Sequence, residues 1–397
     1  MASSASKIPL LDLSWAEDPD RKLELLKQLH SALFDVGFLY IQNHGVDQKI
    51  IDKLTAKLPD LFNLPEEERA ALSKIKSPHF VGYNGYAEET TLGKQDLREQ
   101  FDFATELPVV WRDAWSNLNE KEADHVNGTT NGELQESRDF SKLYWRLRGP
   151  NQWPSEASIP GFRAAFTEYH NAVQELSYRF VHLIEEAFGI PVGTFDHFFG
   201  RKDLDPSVDE FKQSRSFLPP QHRIKLLKYP PSERNVDGQG VGAHKDSSGW
   251  LTFLYQVSNE PGLEVLSADD EWIKATPIHG TFVVNFGNPF EAATEGAVKA
   301  TTHRVIAPGP QSNTRYSIPF FQGVPLDMTV SEIRSYIPDH VRRLRNEAGG
   351  CTQVSSFLDP RWDGLGESQL RKWVRSHKDV AKKWYGSDVV EYYTSET

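Results

Sequence analysis

The chain has 397 residues, 38% of them hydrophobic and 12% aromatic, enough for a sizeable core in one large or two ordinary domains and unlike a disordered or fibrous chain. A formal net charge of -12 leaves no basic surplus to neutralise phosphates, which argues against a nucleic-acid partner. The single cysteine, Cys351, excludes an intrachain disulfide and a thiolate cluster, so any bound metal has to sit on nitrogen and oxygen ligands. No run reaches the roughly 18 to 20 apolar residues of a membrane span. Met1 to Lys7 is short and polar, without the apolar stretch of a secretory signal, so a cytosolic protein is expected.

In chain order, Leu23, Leu26, Leu33 and Val36 recur at helical spacing and predict a helix over 20–36 that ends at Gly37. Phe38 to Gln42 reads as a strand closed by the Asn43-His44-Gly45 turn, and Ile51, Leu54, Leu58 and Phe62 mark a second helix over 47–62. His44, in that turn, is expected to serve structure and not a metal. Residues 110–148 turn polar, with Asn127-Gly128 and Asn131-Gly132 as turn signals, and are expected on the surface as an insertion or flap. A long helix follows over 160–188, where Phe162, Phe166, Tyr169, Val173, Leu176, Phe180, Leu183 and Phe188 form one apolar stripe.

From 222 to 325 the pattern changes to short β-branched and aromatic runs punctuated by Gly, Pro or Asn. Seven strands are predicted: 224–229, 250–256, 263–266, 271–276, 281–285, 301–307 and 316–322. No helix-length pattern lies between them, which suits a double-sheet jelly roll or small barrel and not a parallel α/β sheet. Beyond Ser331 helices return, one around 331–347 and one around 367–385. The organisation expected is an N-terminal region over 7–125, a linker and long helix over 126–220, a jelly-roll domain over 221–326 and a helical extension over 327–397. The fold class is α+β.

Three short motifs carry the chemistry: His244-Lys245-Asp246, His303-Arg304 and Arg315-Tyr316-Ser317. In extended backbone residues i and i+2 point to one side, so His244 and Asp246 can offer a nitrogen and an oxygen to one point. With His303 from a later strand they form a 2-His-1-carboxylate facial triad, which holds Fe(II) and leaves positions free for a co-substrate and O2. Arg315 and Ser317 likewise share a face. A guanidinium and a neighbouring hydroxyl suit a carboxylate, and an inward Arg315 implies either an internal Asp or Glu partner or an acidic ligand.

The stretch from Ile224 to Leu326 resembles the iron and 2-oxoglutarate dioxygenase domain of the isopenicillin N synthase-like superfamily, which includes plant flavonoid and gibberellin oxygenases. The resemblance is carried by Leu227-Lys228-Tyr229-Pro230-Pro231, Gly242-Ala243-His244-Lys245-Asp246, Trp250-Leu251-Thr252-Phe253-Leu254, Gly262-Leu263-Glu264-Val265-Leu266, Val283-Val284-Asn285-Phe286-Gly287, His303-Arg304-Val305 and Arg315-Tyr316-Ser317. Ile8-Pro9-Leu10-Leu11-Asp12-Leu13, Gly37 to Gly45 and Asn151-Gln152-Trp153-Pro154 extend it to residues 7–326. It implies a distorted double-stranded β-helix flanked by helices, with His244, Asp246 and His303 as iron ligands. Arg315 and Ser317 are implied for the far carboxylate of 2-oxoglutarate, and Tyr229 beside it. Leu227 departs from the Asn often found in plant members, and Asn288 from a common Asp.

The activity implied is oxidative decarboxylation of 2-oxoglutarate by O2, coupled to hydroxylation, desaturation or cyclisation of a small organic molecule of the natural-product kind. Two alternatives stay open: an Fe(II) oxidase without 2-oxoglutarate, like isopenicillin N synthase itself, and an inactive small-molecule-binding relative. Phe101, Phe103, Phe217, Phe320 and Phe321 could line the substrate pocket or belong to the core. A small molecule is the expected partner, with neither nucleic acid nor membrane, and the sequence leaves the oligomeric state open.

Overall fold

The computed structural model describes residues 7–91, 93–113, 138–199, 218–232, 238–247, 249–344 and 360–395. In chain order the strands are β1 (Leu10–Asp12), β2 (Phe38–Gln42), β3 (Gly82–Asn84), β4 (Thr90–Thr91), β5 (Lys94–Gln95), β6 (Glu99–Ala104), β7 (Arg223–Tyr229), β8 (Gln239–His244), β9 (Leu251–Gln256), β10 (Leu263–Leu266), β11 (Trp272–Lys274), β12 (Phe282–Phe286), β13 (His303–Ile306) and β14 (Arg315–Gln322). Eight of them form one sheet in the order β1-β2-β12-β9-β14-β7-β6-β3, four form a second in the order β11-β10-β13-β8, and β4 and β5 make a ribbon. Neighbours run antiparallel except β1 with β2. Strands from before residue 105 and after residue 222 therefore share one sheet.

The two faces of the large sheet do different work because side chains alternate along each strand. One face carries Phe101, Phe103, Ile224, Leu226, Phe253 and Phe320 into the main core, where helix α1 (Lys22–Ser31), helix α2 (Gln48–Thr55) and the long helix α3 (Phe162–Phe188) cover them. The other face meets the small sheet across Phe38, Tyr40, Leu227, Tyr229, Val241, Leu263, Val283 and Val305. This sandwich is the jelly-roll interior, and its open end holds the polar motifs. A third core joins helices α4 (Leu365–Ser376), α5 (Lys378–Tyr385) and α6 (Ser387–Thr394) to Phe80, Trp145, Leu147 and Leu218. Among the described residues no helix is long and apolar enough to cross a membrane.

Several expectations are corrected. The helix over 20–36 departs from α geometry at its end, where Ala32–Val36 winds as a π turn before Gly37 takes a left-handed φ of 73°. The helix over 47–62 breaks after Thr55 and restarts as Leu58–Phe62, with Pro59 in the new first turn, where its missing N–H costs nothing. Pro338 likewise divides 331–347 into Val330–Ser335 and Asp339–Arg343. The helix over 367–385 is split at His377, whose ring is drawn against the buried Lys74 at 2.7 Å. Residues 114–137 of the polar stretch lie outside the described residues, but 138–148 is no surface flap: Trp145, Leu147 and Arg148 are buried under the C-terminal helices. β8 and β6 went unread, the first because Gly240 and Gly242 look like turn residues, the second because its alternate positions are polar.

Candidate active site

β8 ends at His244 and β13 opens with His303, and the register pairs these two residues directly across the small sheet. A bulge between the His303 and Val305 pairings adds a residue on β8 just before His244, at Gly242-Ala243. Asp246 is not on the strand: it lies in the loop two residues past the end of β8, correcting the extended-backbone picture. That loop is fixed by the Asn288 N–H donating to the Asp246 carbonyl at 2.8 Å and by Lys245 paired with Glu291 at 3.1 Å. It also packs where only glycine fits, since a Cβ on Gly287 would lie 1.7 Å from the Gly249 carbonyl oxygen.

One ligand-type atom from each of His244, Asp246 and His303 falls within 4.8 Å of the others. Both Nε2 atoms stand 3.7 Å from Asp246 Oδ1, and the two rings are 4.4 Å apart between centroids. The outer atoms explain the aim. His244 Nδ1 faces the Gly242 carbonyl at 2.8 Å and His303 Nδ1 the Thr301 carbonyl at 3.0 Å, so each Nδ1 carries the proton and each Nε2 keeps its lone pair toward the centre. Thr252 and Asn285 each donate to Asp246 Oδ2 at 2.7 Å, which leaves Oδ1 for the centre. Burial alone would raise the Asp246 carboxyl, but His303, His244 and these two hydrogen bonds hold it at about 2. Burial and His303 push His244 down to about 3, so the imidazole is neutral at ordinary pH. Two imidazole nitrogens and one carboxylate oxygen are the donor set of a divalent first-row metal.

Arg315 is almost fully buried on β14 and shares its face with Ser317, as expected, while Tyr316 is turned away. Its guanidinium lies 5.0 Å from the centre of the Tyr229 ring on β7, and donates to Gln256 Oε1 at 3.1 Å and weakly to Ser317 Oγ at 3.4 Å. Its Nε has no hydrogen-bond partner, and among the described residues no carboxylate stands within ion-pair distance of it. Burial lowers its pKa, as it does for a cation held without an anion. Of the two partners the sequence allowed, the internal carboxylate is thus missing among the described residues.

A cavity of about 250 Å³ joins these groups: His244, Asp246, His303, Arg315, Ser317 and Tyr229 all line it, with Leu227, Thr252 and Asn285. Phe321 lines it too. Phe101, Phe103 and Phe320 do not, because they sit on the opposite face of the sheet in the main core, each fully buried. Phe217 lies outside the described residues, as does Cys351. His44 is buried against Phe282, its Nδ1 accepting from the Val46 N–H at 3.2 Å, a structural role. Sequence reasoning missed the supporting roles of Thr252 and Asn285, and missed the polar wall formed by Glu89, Arg98, Lys225, Lys372 and His377.

Comparison with known proteins accords with this centre. Residues 8–156 match the family described as non-haem dioxygenase in morphine synthesis N-terminal, and residues 220–324 match the 2OG-Fe(II) oxygenase superfamily. The chain is 36% identical over 390 residues to the 2-oxoglutarate-dependent dioxygenase frbJ of Dothideomycetidae sp. (strain 11243), covering 96% of this chain and 92% of that protein. It is 29% identical over 350 residues to a homoarginine-6-hydroxylase of Arabidopsis thaliana, covering 84% and 89%. Its fold matches the crystal structure of a 2OG-Fe(II) oxygenase family protein from Caulobacter crescentus with a TM-score of 0.63 at 21% identity, covering 92% of this chain and 99% of that one. The jelly roll with its paired histidines, the two family matches and a 36% identical relative along nearly the whole length together establish that this chain belongs to the 2OG-Fe(II) oxygenase superfamily, as an enzyme dependent on ferrous iron and 2-oxoglutarate.

Proposed function

We propose that His244, Asp246 and His303 hold the ferrous ion, that Arg315 and Ser317 hold the far carboxylate of 2-oxoglutarate with Tyr229 against it, and that the enzyme oxidises a carbon centre of a small organic molecule. The observation that carries this reading is Arg315: a buried guanidinium with an unused Nε and no carboxylate within ion-pair distance among the described residues, in the same cavity as the three metal-type donors. Keeping a cation dry without an anion is costly, and a ligand carboxylate relieves that cost.

When bound, iron and 2-oxoglutarate supply the oxidising power, O2 being consumed as 2-oxoglutarate is decarboxylated to succinate. The chain supplies position. Thr252 and Asn285 fix Asp246 so that one oxygen faces the centre, and the Gly242 and Thr301 carbonyls fix the imidazoles. Arg315 orients the acid end of the co-substrate by charge, and Leu227, Leu254 and Val305 keep water from the space between. No side chain is needed as a general base. The substrate is a small molecule, and the expected setting is the cytosol.

The test is spectroscopic. Anaerobic protein with Fe(II) should develop the weak visible charge-transfer band on adding 2-oxoglutarate, His303→Ala should lose iron, and Arg315→Met should need far more 2-oxoglutarate for the same band. A band unaffected by Arg315→Met, or iron retained at full affinity by His303→Ala, would refute the assignment. A screen of metabolites for stimulated succinate release then finds the substrate.

A further inference from the structure

β8 does not run evenly beside β13. The ladder slips between the His303 and Val305 pairings and again between the Val305 and Ile306 pairings, and each slip adds a residue to β8. Extra residues in a ladder need partners for their backbone from elsewhere. Here the segment that follows the β4–β5 ribbon supplies them. Asp96 is buried, and its Oδ1 accepts from the Gly242 N–H at 3.2 Å and from Gln239 Nε2 at 2.9 Å, at the two ends of the slipped stretch. Next to it the Leu97 N–H donates to the Gln239 carbonyl at 2.8 Å. The second oxygen, Oδ2, accepts from Thr91 Oγ1 at 2.8 Å. Arg98 stands 3.6 Å from that oxygen but 2.6 Å from Glu89, so its guanidinium belongs first to Glu89. Burying a carboxylate is costly, and this one commits a whole oxygen to β8.

Gly242 passes the restraint on. Its carbonyl accepts from His244 Nδ1 at 2.8 Å, the bond that aims His244 Nε2 at the centre. The two imidazoles depend on such a bond unequally. The His303 side chain is 10% exposed and lies edge-on to Phe38 with centroids 5.3 Å apart, whereas the His244 side chain is 33% exposed. Packing helps to hold the His303 ring, and the Gly242 carbonyl carries more of the task at His244.

We infer that Asp96 is a positioning residue of the metal centre: by holding Gly242 and Gln239 it fixes the bulged end of β8, and through the Gly242 carbonyl it sets the direction of His244 Nε2. This rests on the reading above, in which His244 is an iron ligand. The place of the oxygen matters here, not the charge. Asn at 96 offers an oxygen in the same place, Glu carries its charge one methylene further out, and Leu offers neither.

Co(II), an air-stable stand-in for ferrous iron whose visible bands report ligand geometry, is titrated into the full metal-free chain. Asp96→Leu and Asp96→Glu should each weaken Co(II) binding by roughly 10–100-fold and shift the bands, while Asp96→Asn should stay within about threefold of wild type. Thr91→Val removes the bond on Oδ2 and leaves Oδ1 alone, so it should bind Co(II) as the wild type does. Every titration is run well below the Tm of the metal-free variant, and should Asp96→Leu fail to fold, Asp96→Asn and Asp96→Glu decide. Wild-type affinity and bands in Asp96→Glu overturn the inference, as does a loss in Asp96→Asn or Thr91→Val as large as that in Asp96→Glu. The parent reading fails differently: His303→Ala would then bind Co(II) as tightly as the wild type.

Discussion

Replacing Arg315 by Met should separate binding from stability, with the two effects differing greatly in size. Two charge-assisted hydrogen bonds to the co-substrate, each about 1.5–3 kcal/mol, put the loss in binding at about 3 kcal/mol or more, which is roughly 150-fold in the KM for 2-oxoglutarate. Folding should hardly notice. Arg315 has no carboxylate within ion-pair distance among the described residues, so its removal strands no buried anion there; Gln256 loses one donor but still bonds the Ala275 carbonyl through its own amide at 3.1 Å. An internally paired arginine would instead cost about 3–5 kcal/mol when removed and lower Tm by on the order of 10 °C. The assay is succinate release against 2-oxoglutarate concentration, beside a thermal melt of the iron-loaded protein without 2-oxoglutarate. A Tm that collapses while the folded fraction keeps its KM would refute the reasoning, because it would make Arg315 part of the scaffold.

Thr252→Val keeps the shape of a buried side chain but removes one of the two donors on Asp246 Oδ2; iron affinity should fall by roughly 10–100-fold in a metal titration, and an unchanged affinity would mean that Asn285 alone orients the carboxylate. Acid should destabilise the metal-free protein through buried histidines, of which His170 is the clearest, burial holding it at about 4 against 6.5 unfolded. Its contribution is fully present above pH 6.5 and is lost as the pH falls toward 4, since the unfolded chain takes up a proton that the native state refuses; the loss is roughly 3 kcal/mol. Urea midpoints at pH 7 and pH 4.5 should differ accordingly, and His170→Gln should shrink the difference.

The metal-type donors were legible because their chemistry is local: His244 and Asp246 are two residues apart, and His303 opens a strand whose β-branched residues announce it. The jelly roll was legible from the spacing of turn residues, and the long helix Phe162–Phe188 from its unbroken apolar stripe. β8 was not, although it carries His244, because Gly240 and Gly242 serve close packing there: a Cβ on Gly242 would lie 2.7 Å from the Thr91 side chain. Breaks within helices were missed where the cause is tertiary, as at His377, whose ring turns toward Lys74 and Glu89.

The pocket aromatics show what strand parity can and cannot decide. Phe321 is an even number of residues from Arg315 and Ser317 and therefore faces the cavity with them; Phe320 is an odd number away and faces the core, and Phe101 and Phe103 pair in register with Leu226 and Ile224 on that same core face. Parity excludes Phe320 from sequence alone. It cannot find Lys372, which comes from a helix that reaches the cavity only because Trp145, Leu147 and Trp373 share a separate core. The consequence is a division of labour between construction types. Paired strands carry His244, His303, Arg315 and Ser317, with Asp246 in the loop just past one of them, while one wall of the cavity is built by C-terminal helices anchored through that third core. Changes confined to Lys372 or Ser376 should thus alter which molecule is oxidised without altering the centre that oxidises it.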